Sequence, residues 1–303
     1  MKDVSRKPNT LRTARAESSV ICLPGTIASV RSGNVPKADP LGVARVAGIQ
    51  AAKNTSLIVP YCHQVPLDLV SVEAELRDTS VHFLTEAKAV WKTGVEMEAL
   101  VAASVAALTF YDMLKPVDDT MKIGEVSLIG KKGGKSDFVR PDAAGIRAAV
   151  LVLSDATSKG RREDVSGKTI RQRLEELNIA VTDFSILPDE QKLIEEKLID
   201  LCDRQAVDIV ITTGGTGLGP RDVTPEATRS VIQRELPGVT EYLRSHGQER
   251  TRYSMLGRGV AGVRGETLIV SLPGSTGGTN DALDILFPWL LHALDMLRGK
   301  GHE

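Results

Sequence analysis

The chain has only three cysteines in 303 residues, Cys22, Cys62 and Cys202, widely spaced and without a Cys-x-x-Cys pair. That odd, scattered set excludes a disulfide framework and a structural zinc site, and it fits reduced thiols in the cytosol. Net charge is also missing. Lysine and arginine total 38 against 39 aspartates and glutamates, leaving -1 at pH 7. Nothing therefore draws the whole chain to nucleic acid or an anionic membrane, and any basic patch has to be local. The start, Met1 to Arg6, has no apolar signal core. The longest apolar stretches, near residues 99–110 and 285–294, read as too short or too interrupted to span a bilayer. No internal repeat is visible. The expectation is a cytoplasmic protein whose partners are neither nucleic acid nor membrane. What remains is ordinary globular composition, 42% hydrophobic and 25% charged, with length enough for two domains and a sizeable core.

Glycine, proline and charge without periodicity run from Lys131 to about residue 147, which sets a boundary near residues 141–145 and domains of 1–140 and 141–303. Before it, extended segments at Val70–Arg77 and Val81–Ala87 alternate with helices at Gly42–Asn54 and Val95–Leu114, an α+β pattern. After it, strands at Ala148–Leu153, Val181–Leu187, Asp208–Thr212 and Thr267–Leu272 alternate with helices. These are expected at Gly167–Leu177, Gln191–Arg204, Pro225–Glu235 and Asn280–Arg298, the last bent at Pro288. That rhythm predicts a parallel, three-layer, doubly wound sheet of Rossmann-like type.

The segment Lys92 to Lys115 is the most informative. Thr93 and Glu96 have capping-box spacing, and Ala102, Ala103, Ala106 and Ala107 make a face narrow enough for close backbone packing. Asp112 and Lys115, three apart, share the last turn. Taken alone, the segment reads equally well as a core helix with a solvated ion pair at its end. The run Thr93 to Lys115 resembles the signature helix of the cyclic pyranopterin monophosphate synthase family of molybdenum cofactor biosynthesis. So do Asp3–Ser5 with Ala14–Glu17, Ala44–Lys53 and the Pro60-Tyr61-Cys62-His63 loop, over about residues 1–140.

The resemblance implies a ferredoxin-like α+β fold, a homo-oligomer (hexameric or trimer-based), and a lyase that turns a cyclised dihydro-GTP triphosphate into cyclic pyranopterin monophosphate and diphosphate without a cofactor. By motif match, Asp112, Lys115 and Lys37 are catalytic. Tyr61, Cys62, His63, Glu96, Met97, Glu98, Lys131 and Lys135 bind substrate. Such chemistry needs cations for the triphosphate and proton donors and acceptors for the rings. Without the resemblance, Cys62 and His63 would read as a core thiol and a hydrogen-bonded histidine. Gly130 to Ser136 is not a P-loop, because Walker A needs glycine where Ile129 stands; it reads as a basic loop or a solvated linker edge. Departures from the family pattern fall at Pro36 and Pro40 around Lys37 and at Gln64. Glu98 and Asp112 lie fourteen residues apart, roughly 21 Å along a straight helix, so one site using both would draw them from different protomers.

The second half carries its own signature, Thr212 to Ala227, a glycine-rich loop after an apolar strand and before a helix. Its amides and the helix dipole suit an anion. This string, with Ser154-Asp155, Asp164–Gly167, Pro188–Glu190 and Leu272–Ser275, resembles the molybdopterin-binding, molybdopterin adenylyltransferase family. The implied pocket comprises Ser154, Asp155, Asp189, Gly214, Gly215, Thr216, Asp222 and Ser275, with Asp189 and Asp222 as Mg2+ ligands and ATP as co-substrate. On a bland reading Asp222 is a helix cap and Asp189 a turn residue. Thr276 to Thr279 lacks the lysine that relatives often offer there, and Gly257 stands where Ser is common. A non-catalytic pterin-binding or scaffolding module is thus the alternative.

Overall fold

The computed structural model describes residues 1–37, 39–134, 143, 145–287 and 289–299. The chain divides into two compact units, Met1–Val139 and Arg140–Glu303. The expected boundary at residues 141–145 lies largely outside the described residues, as do Lys135 and Pro288.

In the first unit β1 (Thr10–Ile21), α1 (Pro24–Ser32), α2 (Pro40–Lys53), α3 (Thr55–Ile58), β2 (Leu69–Leu76), β3 (Ser80–Trp91), α4 (Glu96–Leu114) and β4 (Lys122–Lys132) follow in order. The four strands form one sheet, β2-β3-β1-β4, with every neighbouring pair antiparallel. β1 alternates buried Ala14, Ala16, Ser18 and Val20 with exposed Arg15, Glu17 and Ile21, so one sheet face is covered and the other is not. The covering element is α4. Its Ala99 and Ala103 cluster with Ala14, Ala16, Ala87 and Ala89, while Ala106, Phe110 and Leu114 cluster with Val20, Val81 and Phe83. Buried hydroxyls tie sheet to helix: Ser18 Oγ donates to the Ala103 carbonyl (2.7 Å) and Thr85 Oγ1 to that of Ala99 (2.9 Å). The alanine face admits α2 closely, for a Cβ on Gly48 would sit 2.9 Å from the Ala102 carbonyl oxygen.

Three expectations for this unit change. α4 begins at Glu96 with Val95 as its N-cap and no side-chain cap hydrogen bond, so Glu96 is the first helical residue and the Thr93 capping box does not form. Gly130, Lys131 and Lys132 belong to β4, opposite Arg15, Ala14 and Thr13 of β1, so this part of the supposed basic loop is strand. The apolar stretch near residues 99–110 is part of a 19-residue helix, mean hydropathy 1.4, long and apolar enough by length and composition to cross a membrane. Its burial against the sheet is what a core helix shows.

The second unit contains β5 (Arg147–Leu153), α5 (Asp155–Ser158), α6 (Ser166–Glu176), β6 (Ala180–Leu187), α7 (Gln191–Ile199), β7 (Ile209–Thr213), α8 (Thr224–Val231), β8 (Arg234–Glu235), α9 (Pro237–Gln248), β9 (Ala261–Arg264), β10 (Thr267–Leu272), α10 (Thr276–Leu286) and α11 (Trp289–Leu297). The sheet order is β6-β5-β7-β10-β9-β8. β5 is parallel to β6 and β7, and β7 to β10. β5, β7 and β10 are buried almost throughout, because helices cover both faces. Ala148 and Val150 pack toward α6, α10 and α11; Ala149, Leu151 and Leu153 pack toward α7 and α8.

The expected all-parallel sheet is in fact mixed. β9 is antiparallel to β10, and β8 to β9. The two-residue connection Gly265-Glu266, with Gly265 at φ 56°, makes the β9–β10 hairpin that glycine in the left-handed region permits. The helix expected over Pro225–Glu235 stops at Val231, and its last two residues are strand β8. The helix expected to reach Arg204 ends at Ile199 and finishes in a wider π-type turn, Asp200–Arg204. The helix expected over Asn280–Arg298 is two helices, α10 and α11.

Candidate active sites

In the first unit Lys37, Asp112 and Lys115 come together. Asp39, in the left-handed region at φ 44°, accepts from the Gly42 amide (2.8 Å) and Pro40 opens α2, which fixes the loop carrying Lys37. Its Nζ donates to Asp112 Oδ2 (3.0 Å) and to the Asp112 carbonyl oxygen (3.2 Å). Lys115 Nζ stands 2.8 Å from Asp112 Oδ1. One carboxylate thus bridges two ammonium groups in the open, with about half of each side chain exposed. Lys115 and then Lys37 hold the Asp112 carboxyl down to about 2, and Asp112 in turn raises the Lys115 ammonium above its ordinary value. Held down in this way, Asp112 stands as a carboxylate rather than a proton donor, and the two lysines around it make a cluster that suits an anion.

A second cluster stands at the other end of α4. Glu98 is only 4% exposed, and burial, with the charge of Glu96, pushes its carboxyl upward. The half-buried Cys62 thiol is pushed up by burial and by Glu98, which places the two within electrostatic reach. Glu96 Oε1 is paired with Lys131 Nζ (3.3 Å). His63 Nε2 donates to the Lys2 carbonyl (2.8 Å). Tyr61 is 80% exposed and Met97 is partly exposed; Lys135 lies outside the described residues. Cys22 and Cys202 are buried, each thiol pushed up to about 11 by desolvation, so they are poor nucleophiles.

In the second unit the site residues gather beyond the carboxyl ends of β5, β6, β7 and β10, where the connection after β5, through α6, and the connection after β6, through α7, lie on opposite faces of the sheet. This is the position at which open α/β sheets take ligands. Ser154 caps α5 by accepting from the Thr157 amide (3.3 Å). Asp155 and Asp189 hold each other's loops: the Asp155 amide donates to Asp189 Oδ2 (2.9 Å) and the Asp189 amide to Asp155 Oδ1 (3.3 Å). Arg221 grips Asp155 with a fork, Nε to Oδ2 at 2.9 Å and a terminal nitrogen to Oδ1 at 3.0 Å. Asp222 Oδ2 accepts from the Gly219 amide (2.7 Å); it closes the glycine turn, while Val223 is the N-cap of α8 and no side chain caps it. Gly214 and Gly215 lie at φ 100° and 60°, a backbone that side chains resist.

Asp189 Oδ1 is buried with no hydrogen-bond partner, and a Cβ on Gly215 would stand 2.8 Å from it. Burial first, then the charges of Asp155 and Asp222, raise the Asp189 carboxyl. An orphaned carboxylate oxygen with a second carboxylate nearby suits a hard divalent cation. Among the described residues no group of three or more His, Cys, Asp or Glu is placed to hold a metal, so magnesium at Asp189 and Asp222 would complete its shell from water and phosphate.

Thr216 and Ser275 open instead on a cavity of about 450 Å³, lined also by Thr240, Arg244, His246 and Asp281. Sequence reasoning missed Thr240, Arg244 and His246 because it did not find α9, while Asp281 lies on α10. It also missed Arg258, which clamps the glycine loop by donating to the carbonyls of Gly217 (2.7 Å) and Asp222 (2.6 Å) and by pairing with Glu226 (2.5 Å). The place of an arginine 41 residues from its partner has no local sequence signal.

Comparison with known proteins agrees with this division. Residues 1–134 match the MoaC family, and residues 149–292 match the family described as "Probable molybdopterin binding domain". A molybdenum cofactor biosynthesis bifunctional protein of Chlorobaculum tepidum is 44% identical over 302 residues, 100% of this chain and 96% of the relative. One from Synechococcus elongatus is 37% identical over 315 residues, covering 100% and 98%. A molybdopterin adenylyltransferase of Helicobacter pylori is 42% identical over 157 residues, 51% of this chain and 89% of the relative.

Proposed function

Because the chain belongs to the family of molybdenum cofactor biosynthesis bifunctional proteins, we propose that it carries out two steps of that pathway, one in each unit. The first unit is a cyclic pyranopterin monophosphate synthase, a lyase. Its substrate is the cyclised dihydro-GTP triphosphate, and diphosphate is the second product. The observation that carries this reading is the Lys37–Asp112–Lys115 constellation. Two ammonium groups neutralise phosphate oxygens without a metal. As they turn to the triphosphate, Asp112 loses the partners that hold its pKa down and becomes able to accept a proton from the ring system. Glu98 and Cys62, at the far end of α4, come to the same substrate from a neighbouring protomer in a hexameric or trimer-based assembly. Mixing inactive Glu98→Ala and Asp112→Ala protomers tests this; exchanged oligomers that stay dead would remove the shared site.

The second unit binds molybdopterin and adenylylates it with ATP. The 42% identical adenylyltransferase supports the transfer. Magnesium, held by Asp189 and Asp222, would offset charge on the leaving diphosphate. The chain's own part is to present the amides of the loop from Gly215 to Leu218 to phosphate and to seat the pterin against Thr216 and Ser275. The α+β unit is read as ferredoxin-like from its β-α-β-β-α-β order, and the α/β unit as Rossmann-like from its parallel core and covered faces. The protein is proposed to work in the cytoplasm on small molecules. A second reading, pterin binding without transfer, draws on the lysine-free Ser275–Thr279 segment. One assay separates them: supply the cyclised precursor, then molybdopterin with ATP and magnesium, and measure each product and diphosphate. Binding of molybdopterin with no diphosphate from ATP would leave only the binding module.

A further inference from the structure

In the glycine-rich loop Arg221 is the side chain that faces the aspartates of the proposed adenylyl-transfer site. Asp155, Asp189 and Asp222 bring three negative charges to the carboxyl ends of the strands, and Arg221 answers one of them. It spends its whole fork on Asp155 at 2.9 and 3.0 Å, close enough to Asp189 and Glu190 to feel both. Yet the pair is open to water, with 58% of the Arg221 side chain and 33% of that of Asp155 exposed. An exposed pair of this kind is weak. A guanidinium fork fits two phosphate oxygens as well as two carboxylate oxygens, and Arg221 stands in the glycine-rich loop proposed above to meet phosphate. Meanwhile Asp189, locked to Asp155 by reciprocal hydrogen bonds, keeps Oδ1 buried and unpartnered. The carboxylate that Arg221 holds and the carboxylate left for a cation are therefore mechanically one unit.

We infer that Arg221 is a phosphate-binding residue kept in reserve by Asp155, and that a divalent cation entering at Asp189, which is hydrogen-bonded to Asp155, releases it to the phosphate oxygens in the glycine-rich loop. The inference rests on the adenylyl-transfer reading above. A cation at Asp189 and the guanidinium on Asp155 repel each other across the bonded pair, so in the absence of phosphate Arg221 weakens metal binding. With phosphate present it has somewhere better to go, and the two ligands reinforce each other. By linkage the reinforcement is mutual, each tightening the other by the same factor. Phosphate here means the triphosphate of ATP or the monophosphate of the pterin, both within the chemistry of one loop.

The test uses the full-length chain, with Mn2+ as the metal probe followed by electron paramagnetic resonance, and ATP and molybdopterin followed by calorimetry. Arg221→Gln is expected to bind Mn2+ alone several-fold more tightly, because a repelling cation is gone, and to bind ATP or molybdopterin on the order of tenfold more weakly once Mn2+ is present. Arg221→Lys is expected to recover part of the phosphate affinity, since it keeps the charge but not the fork. Weakening confined to ATP assigns Arg221 to the triphosphate; weakening confined to molybdopterin assigns it to the pterin phosphate. A purely structural role, in which Arg221 only steadies Asp155, would make Arg221→Gln bind Mn2+ more weakly, and that result overturns the proposal. So does an unchanged affinity for both phosphate ligands in a variant with normal melting temperature. If the unmutated protein binds neither ATP nor Mn2+, the adenylyl-transfer reading falls and takes this inference with it. If it binds both and only the variant fails to respond, the reading stands and Arg221 alone is reassigned.

Discussion

The two candidate sites deal with phosphate from opposite charge balances. In the first unit two lysines share one aspartate, leaving an excess of one positive charge at an open helix end. In the second, Asp155, Asp189 and Asp222 gather with one forked arginine in a recess beyond the sheet, so carboxylates outnumber the cation bonded to them. A cationic cluster can hold a polyphosphate with its own side chains. An anionic one repels it until a cation arrives. The difference explains why the proposal assigns magnesium to one reaction and none to the other, and it makes the two sites break in different ways.

The largest effect is expected in the first unit. Lys115→Ala or Asp112→Ala should lower pyranopterin formation by ~10²- to 10⁴-fold. Melting should scarcely change, because both side chains lie in the open, where an ion pair contributes little. Near-normal turnover in either folded variant would remove the anion cradle. Next, Asp222→Asn should cost the second reaction ~10²- to 10³-fold. Pterin affinity should hold or rise, since one negative charge leaves the neighbourhood of its phosphate. The first reaction should not respond; a parallel loss of both would show that the two units do not act as independent sites.

How far these sites were legible in the chain follows from the residues themselves. α2 and α4, and strands β5, β7 and β10, stand out because their apolar runs are long or fully buried on both faces. β1 was invisible: its inward positions are Ala14, Ala16 and Ser18, residues with little β preference of their own, and only the sheet around them makes a strand. α9 contains Gly238 and Gly247, which lower any helix expectation, and with α9 went the part of the cavity lining that it carries, Thr240, Arg244 and His246 among it. β8 is two residues long. The hairpin at Gly265-Glu266 carried a readable turn signal that the βαβ rhythm overrode. As for the sites, the family resemblance named Asp112, Lys115 and Lys37, and the i,i+3 spacing by itself put only the first two on one turn. That Lys37 joins them across 75 residues is a product of packing alone.

A smaller effect tests packing rather than chemistry. Gly48→Ala should destabilise the first unit by about 1–3 kcal/mol, because the added Cβ would lie 2.9 Å from the Ala102 backbone oxygen and α2 would have to move off α4. Followed by tryptophan fluorescence, the transition carried by Trp91 in the first unit should shift while that carried by Trp289 in the second stays in place. Two transitions that move together would show that the units unfold as one.

The smallest expected effect turns the comparison around, because each site also contains a carboxylate buried against its preference. Glu98 and Asp189 both have folded-state pKa values raised by desolvation, opposite in sign to Asp112. A carboxyl raised on folding binds its proton more tightly in the folded chain. Its contribution to stability is therefore full below the unfolded value and is lost as pH rises through the folded one. At neutral pH these two groups are a burden carried for function. Glu98→Gln and Asp189→Asn should each stabilise the protein at neutral pH by roughly 1 kcal/mol, with the gain shrinking in acid, while each abolishes the reaction of its own unit. Asp112→Asn should show no such gain, since that carboxylate is exposed and charge-paired. Denaturant titrations of the three variants across the acid-to-neutral range decide it. A Glu98→Gln protein less stable than the parent at neutral pH would mean that the carboxylate has a partner in the assembled protein that offsets its burial, which would point back to a neighbouring protomer at that end of α4.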